Sequence, residues 1–208
     1  MLQTQTIEPG TFSVLKKLMD LPSLQDFCLV GGTALSLKYG HRISIDIDLF
    51  SNKEFNRQQI LSELTQVFGK EFLYENSRAQ WAIFCYLQNI KVDIIHYKHP
   101  QIADTEILDN LRLYSSLDLF AMRVNAILGR GKKKDFWDIA ELLQHYTLVQ
   151  CIEAHSKKYP SQQLLISIPG ALTYFTDADE SEEPISLKGQ TWASVKKVIQ
   201  QKVNEYLK

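Results

Sequence analysis

The sequence has little of three things that would each have marked a class. Its three cysteines, Cys28, Cys85 and Cys151, are too widely spaced for a disulfide framework or a zinc signature, and read as reduced thiols in or near the core. It has no apolar run of membrane-spanning length and no basic-then-apolar leader, from which a cytoplasmic protein with no membrane partner is expected. It has almost no net charge: 23 basic against 24 acidic side chains give -1, so nucleic acid would have to be met by local patches. No internal repeat appears. What remains is an ordinary folding composition, 45% hydrophobic and 23% charged, and 208 residues suffice for one generous domain or a domain with a helical appendage.

The chain is organised around Phe27 to Phe50, FCLVGGTALSLKYGHRISIDIDLF. Phe27 to Val30 is a short apolar strand-like run that stops at Gly31-Gly32, where a phosphate can approach the backbone closely. Thr33 to Tyr39 reads as a short helix whose first N–H groups point back at the glycines and favour an anion. From Ile43 to Phe50 the pattern alternates, so Ile43, Ile45, Ile47 and Leu49 share one strand face and Ser44, Asp46 and Asp48 the other. Two aspartates on one face repel unless a cation or water covers them, and an oxygen-only ligand set suits Mg²⁺ or Mn²⁺. Arg42 is placed near this site. His41 beside it admits two readings, a helix exit or a phosphate contact.

Along the rest of the chain, residues 1 to 10 read as a loose lead-in, and Thr11 as the cap of a helix to Met19 or Asp20. Asn56 begins a packing helix that Gly69 closes. Phe72 to Glu75, Trp81 to Leu87 and Lys91 to Tyr97 read as strands, with a turn at Gln88-Asn89. Asp93 faces away from Val92 and Ile94 on the last of these. If that strand lies beside Ile43 to Phe50, Asp93 joins Asp46 and Asp48; otherwise it is an edge-strand acid facing solvent. His99 to Arg112 reads as a connection with some helix. Ser116 is expected to cap a helix carrying Arg123, with Arg130 two turns later on nearly the same face. A Gly-Arg-Gly-Lys-Lys-Lys-Asp turn follows, then a helix from about Asp135, the expected N-cap, to His145, with Asp138 one turn on and Trp137 as packing. Thr147 to Lys158 and Thr191 to Leu207 read as amphipathic helices. Gln162 to Phe175 reads as a helix pair broken at Pro169-Gly170, and Asp177 to Glu183 as a solvated acidic loop.

Two blocks of residues carry a resemblance. Gly31-Gly32-Thr33-Ala34-Leu35, with Arg42-Ile43-Ser44-Ile45-Asp46-Ile47-Asp48-Leu49-Phe50, resembles the opening of the DNA polymerase β-like nucleotidyltransferases, and more narrowly the AbiEii/AbiGii toxin family. Lys134-Asp135-Phe136-Trp137-Asp138, after a helix bearing a basic residue, resembles the second motif of that family. The family usually has lysine in Ala-x-Lys where this chain has Ala121-Met122-Arg123, and arginine keeps the charge with a different reach and hydration.

The resemblance implies an α+β fold: a polymerase β-like core with a mixed sheet over residues 1–113, then a mainly helical part over 114–208 that completes the active site. It implies three carboxylates, Asp46 and Asp48 on two Mg²⁺ (or Mn²⁺) ions and Asp93 on one of them, with Asp93 also placed to help deprotonate an acceptor hydroxyl. Arg123 would bind triphosphate, and Asp138 would orient Arg123 or another basic partner. The NTP would lie on Gly31, Gly32, Thr33, Arg42, Ser44, Arg123 and Lys134. The implied activity moves an NMP from an NTP to an acceptor hydroxyl, with RNA, in particular tRNA, as the leading acceptor. The implied role is the toxin of a toxin–antitoxin or phage-defence (abortive infection) pair, with a separately encoded antitoxin protein as partner. Competing readings are a protein-nucleotidylylating enzyme, a catalytically silent nucleotide-binding homologue, and a metal-dependent phosphodiesterase; the last leaves the glycine turn and the second basic block unexplained.

Overall fold

A computed structural model describes residues 1–74 and 79–208. Helix α1 (Pro9–Asp20) leads into strand β1 (Cys28–Val30), helix α2 (Gly31–Tyr39), strand β2 (Ile47–Ser51) and helix α3 (Arg57–Phe68). Strands β3 (Phe72–Tyr74), β4 (Ala82–Leu87), β5 (Ile90–His96), β6 (Glu106–Leu108) and β7 (Leu111–Leu113) follow. The remainder is helical: α4 (Ser116–Gly129), α5 (Lys133–Leu142), α6 (Leu148–Lys158), the short α7 (Ile168–Leu172) and α8 (Thr176–Asp179), and α9 (Trp192–Tyr206). The fold is α+β.

The strands form one mixed sheet in the order β3-β4-β5-β2-β1-β7-β6. The β5/β2 and β1/β7 pairs are parallel and the others antiparallel. Two hairpins are closed by pairs of non-glycine residues with positive φ, Gln88-Asn89 (52° and 63°) and Asp109-Asn110 (49° and 64°), the backbone that twisted two-residue turns require. The sheet core is made by residues of period two: Ile47 and Leu49 on β2, Ile83, Cys85 and Leu87 on β4, Val92 and Ile94 on β5 are all buried. The opposite face of β5 and β2 carries Asp93 and Asp48, which stand directly opposite each other across the parallel ladder. That pairing is the adjacency on which the three-acid reading depended.

Several expected boundaries move, each for a local reason. The first residues are not loose: Leu2, Thr6 and Ile7 are buried, and the Gln3 N–H donates to Leu37 O at 2.8 Å. Helix α1 starts at Pro9, which its fixed φ suits, so Thr11 is an inward residue rather than a cap. The strand expected from Ile43 starts only at Ile47, and Ile45 is 63% exposed. Residues 43 and 44 bond elsewhere, Ile43 N to Ile185 O and Ser44 N to Thr6 O, both at 2.9 Å. Residues 99–112 contain the β6–β7 hairpin where some helix was expected. Helix α4 is capped by Ser115, whose Oγ accepts from Asp118 N, rather than by Ser116. Helix α5 starts at Lys133 and ends at Leu142, which makes Asp135 its third residue instead of its cap. In 162–175 the helix is α7, with Pro169 in its first turn instead of at a break. Part of the acidic 177–183 stretch is helical, in α8. Glu75, the end of the expected third strand, lies outside the described residues.

The elements after β7 pack back on the core. Helix α4 contacts α2, α5, α6 and α7, and α9 closes over α5, where Trp192 stacks on the buried Trp137 with ring centroids 5.9 Å apart. Among the described residues no helix is long and apolar enough to cross a membrane.

Candidate active site

The turn between β1 and α2 sets the geometry. Gly31 has φ +73°, a backbone that a side chain resists, and the space where its Cβ would stand is filled by the Asp48 carboxylate. A Cβ on Gly32 would collide with the Arg42 guanidinium and lie 3.2 Å from Arg123 Nη2. The two glycines thus bring the start of α2 against one acid and two cations at once. Thr33 is buried; its hydroxyl meets Ser44 Oγ at 2.9 Å and hydrogen bonds to the backbone oxygen of Asp46. Thr33 and Ser44 therefore hold the segment that carries Asp46, just ahead of β2.

Asp48 and Asp93 are partners on adjacent strands, roughly 5 Å apart backbone to backbone. Burial, and after it the Asp93 carboxylate, push the Asp48 carboxyl above its ordinary range, with Arg123 and Lys91 opposing. Lys91, two residues before Asp93 on the same strand face, donates to Asp93 Oδ2 at 2.8 Å. Burial works against the Lys91 charge, but this hydrogen bond and the attraction of Asp93, Asp46 and Asp48 together outweigh it and raise the lysine's pKa. Asp93 Oδ1 is buried with no hydrogen-bond partner among the described residues. A buried carboxylate oxygen without a donor is costly, and this one adjoins a second acid whose ionisation is already opposed.

On the far side of the glycine turn lies a buried ion network. Asp138, fully buried, receives Arg42 in a two-pronged contact, Nε to Oδ1 at 2.7 Å and Nη2 to Oδ2 at 2.9 Å. It also meets His41 Nε2 at 2.7 Å and Arg123 Nε at 2.8 Å. Burial alone would raise its pKa, but Arg42 and Arg123 hold the carboxyl far below the usual range. Arg123 Nη1 reaches Asp135 at 2.8 Å, and Arg130 makes a two-pronged contact with the same acid at 3.0 and 3.1 Å. Asp135 Oδ2 also accepts from Lys132 N, so this residue serves as both cap and counter-ion. Lys134 is half-buried and makes no ion pair among the described residues. Burial, and the neighbouring Arg130, Arg42 and Arg123, lower its pKa against the attraction of Asp46.

The structure thus joins Asp48 to Asp93, and Arg123 to Asp138, over Gly31 and Gly32. Arg42 belongs to the network with its third nitrogen on Ile43 O at 3.0 Å, so its guanidinium is committed within the protein. Asp46 stays in the loop before β2, within electrostatic reach of Asp48, Lys91 and Lys134. Among the described residues no three His, Cys, Asp or Glu side chains converge as a ready-made metal-binding group. The fit to a divalent cation rests on the Asp48–Asp93 pair and its orphaned oxygen. Sequence reasoning passed over Lys91, whose signal was its period-two spacing from Asp93, and left His41 open; its partner lies 97 positions away.

The chain is similar to known proteins over most of its length. The sequence model described as "Nucleotidyl transferase AbiEii toxin, Type IV TA system" matches residues 13–189. An uncharacterized protein of Aquifex aeolicus is 32% identical over 200 residues, spanning 93% of this chain and 94% of that one. The nucleotidyltransferase toxin MenT4 of Mycobacterium tuberculosis superposes with a TM-score of 0.58 at 14% identity, over 90% of this chain and 81% of that one. An H. pylori chain proposed to be a nucleotidyltransferase superposes with a TM-score of 0.55 at 16% identity, over 97% of this chain and 99% of that one. At these identities the two structures speak for the fold.

Proposed function

The chain belongs to the nucleotidyl transferase AbiEii toxin family, and from that premise we propose that it moves an NMP from an NTP to an acceptor hydroxyl on RNA, tRNA being the leading candidate. The observation that carries the reading is the opposition at Gly31-Gly32: a cation-poor pair of acids on one side and a cation-rich network on the other. An NTP laid across that turn would put its phosphates over Gly31, Gly32 and the buried Thr33, where the N–H groups opening α2 favour negative charge. Lys134, without an ion pair of its own among the described residues, supplies a cation to the triphosphate, and Arg123 adds charge from the network. Arg42, Asp138 and His41 hold Arg123 in place; Thr33 and Ser44 hold Asp46.

Asp48 and Asp93, with Asp46 approaching from its loop, would hold Mg²⁺ or Mn²⁺, whose chemistry when bound is to offset charge on the phosphates and on the departing pyrophosphate. In the transfer the acceptor hydroxyl oxygen forms a bond to the α-phosphorus as the bond to the bridging oxygen of the pyrophosphate breaks. The hydroxyl proton passes to the Asp93 carboxylate, and no covalent enzyme intermediate is needed. Residues 1–113 would supply Asp46, Asp48, Asp93, the glycine turn and Arg42, and residues 114–208 would supply Arg123 and Lys134, with Asp138 to position the arginines. The family description, a type IV toxin–antitoxin system, supports a toxin role in the cytoplasm with a separate antitoxin protein as partner.

The test incubates the purified protein with each α-labelled NTP, Mg²⁺, total tRNA and a protein extract, then separates RNA from protein. Label in RNA is the expected result. Label only in protein would make the enzyme protein-directed, and no label beside a working control transferase would overturn the transfer reading.

A further inference from the structure

The sheet face that carries the acids continues outward as an exposed aromatic surface. Across the β4/β5 ladder Phe84 stands opposite Asp93, and Asp93 stands opposite Asp48, so one cross-strand row reads aromatic, acid, acid. The neighbouring row on that face reads Leu73, Tyr86, Lys91. Phe84 is 38% exposed, Tyr86 50% and Leu73 56%, although each lies inside a paired strand. They line, with Phe72, Lys91 and Asp93, a cavity of about 900 Å³. Phe84 is also braced by Trp81, edge to face at 5.9 Å.

Position in the sheet separates this surface from the cation network. In the order β3-β4-β5-β2-β1 the acids occupy β5 and β2, the glycine turn with its arginines follows β1, and the aromatic rows lie on β4 and β3. A nucleotide triphosphate is drawn to the arginine and lysine side. The other flank has π-faces and, among the described residues that line the cavity, one cation, Lys91, beside Asp93. Flat apolar faces beside one cation match a polymer of flat bases joined by phosphates, and fit poorly to a triphosphate.

Resting on the reading of RNA as acceptor, we propose that Phe84 and Tyr86, with Leu73, are the stacking platform for the unpaired 3′ end of that RNA. Lys91 exchanges its contact with Asp93 for a backbone phosphate of the incoming strand. The platform brings the terminal ribose hydroxyl to Asp93, because Phe84 and Asp93 are direct cross-strand neighbours, with Cβ atoms roughly 5 Å apart. It reads single-strandedness and an open 3′ end in preference to sequence, since every base has a π-face.

The test is binding without NTP, read by fluorescence anisotropy with a single-stranded RNA of about 12 nucleotides carrying a 5′ dye and a free 3′ hydroxyl, and with its blunt duplex. The full chain should bind the single strand and discriminate against the duplex. The Phe84→Ala/Tyr86→Ala variant should lose affinity by about tenfold or more, the scale of losing base stacking on aromatic rings, with unchanged melting temperature. Phe84→Tyr/Tyr86→Trp should restore it. Equal affinity of the alanine variant, equal binding of the duplex, or no RNA binding by the parent protein would overturn the proposal. So would loss of self-association or of a protein partner in the alanine variant with RNA affinity intact. Label transfer is not part of this readout, so a platform that binds RNA in a protein that labels nothing would leave this inference standing and sink the transferase reading. Label transfer to RNA with a dispensable platform would do the reverse.

Discussion

Two sets of aspartates flank the same glycine turn, and their surroundings are opposite. Asp138 is buried among Arg42, Arg123 and His41, every one within 2.9 Å, and its carboxyl is held far below the ordinary range. Among the described residues, Asp48 and Asp93 share a flank with one direct cation contact, Lys91, and Asp93 keeps an oxygen with no donor; Asp48 is pushed upward by burial and by Asp93. The same residue type is thus used once to lock a network and once to leave negative charge undercompensated. Buried ionic networks with all partners present are costly to break at one member, whereas undercompensated acids await a ligand.

The comparison can be broken from either side. The largest expected effect is on activity: Asp46→Asn/Asp48→Asn should cut transfer by at least about 10²-fold, the scale of losing a preorganised electrostatic contact, while the melting temperature holds or rises as repulsion is relieved. Label transfer and thermal melting on one preparation measure both, and retained transfer would remove these acids from the site. Next is stability on the other flank. Asp138→Ala strands three buried partners and should cost about 3–5 kcal/mol in urea unfolding, far more than Asp48→Asn. Equal losses would erase the contrast.

The two flanks also differ toward acid. A carboxyl whose folded pKa is depressed contributes stability that is complete above the unfolded value, about 3.8 for aspartate, and is lost as pH falls below it toward the folded value. Unfolding free energy should therefore drop below about pH 4 in the parent protein. In Asp138→Asn that acid limb should flatten. The smallest effect is expected at Arg123. Lysine there keeps the charge and can reach only one of the two acids that arginine bridges, so Arg123→Lys should lower stability by about 1 kcal/mol and retain transfer within about tenfold. Arg123→Ala should fall further on both counts; unchanged kinetics and stability in that variant would make it an ordinary helix charge.

Legibility in the sequence followed the range of the interactions. The strand facing of Asp93 could be read from Val92 and Ile94 alone, and its pairing with Asp48 followed once the two strands were neighbours. The glycine pair marked close approach, but what approaches, Asp48 on one glycine and Arg42 on the other, comes from residues beyond the turn itself. The length of β2 was overread, since alternation continues through Ile43 and Ile45 while the backbone of residues 42–44 is claimed by Ile185, Thr6 and the bridge between Arg42 and Ser186. The Asp138 network was only half legible. A basic partner for Asp138 could be expected from the second motif, but the double hold by Arg42 and Arg123 joins chain segments 96 positions apart, and no local pattern encodes it. The β6–β7 hairpin was missed because Asp109-Asn110 takes the place of a glycine-bearing turn.

The most direct test of the undercompensated pair is Mn²⁺ binding followed by electron paramagnetic resonance, with the parent protein, Asp48→Asn/Asp93→Asn and Asp138→Asn compared at one pH. The account predicts that the parent and Asp138→Asn bind the ion and that Asp48→Asn/Asp93→Asn does not. Binding undiminished in the doubly substituted protein, with its fold intact by circular dichroism, would contradict it.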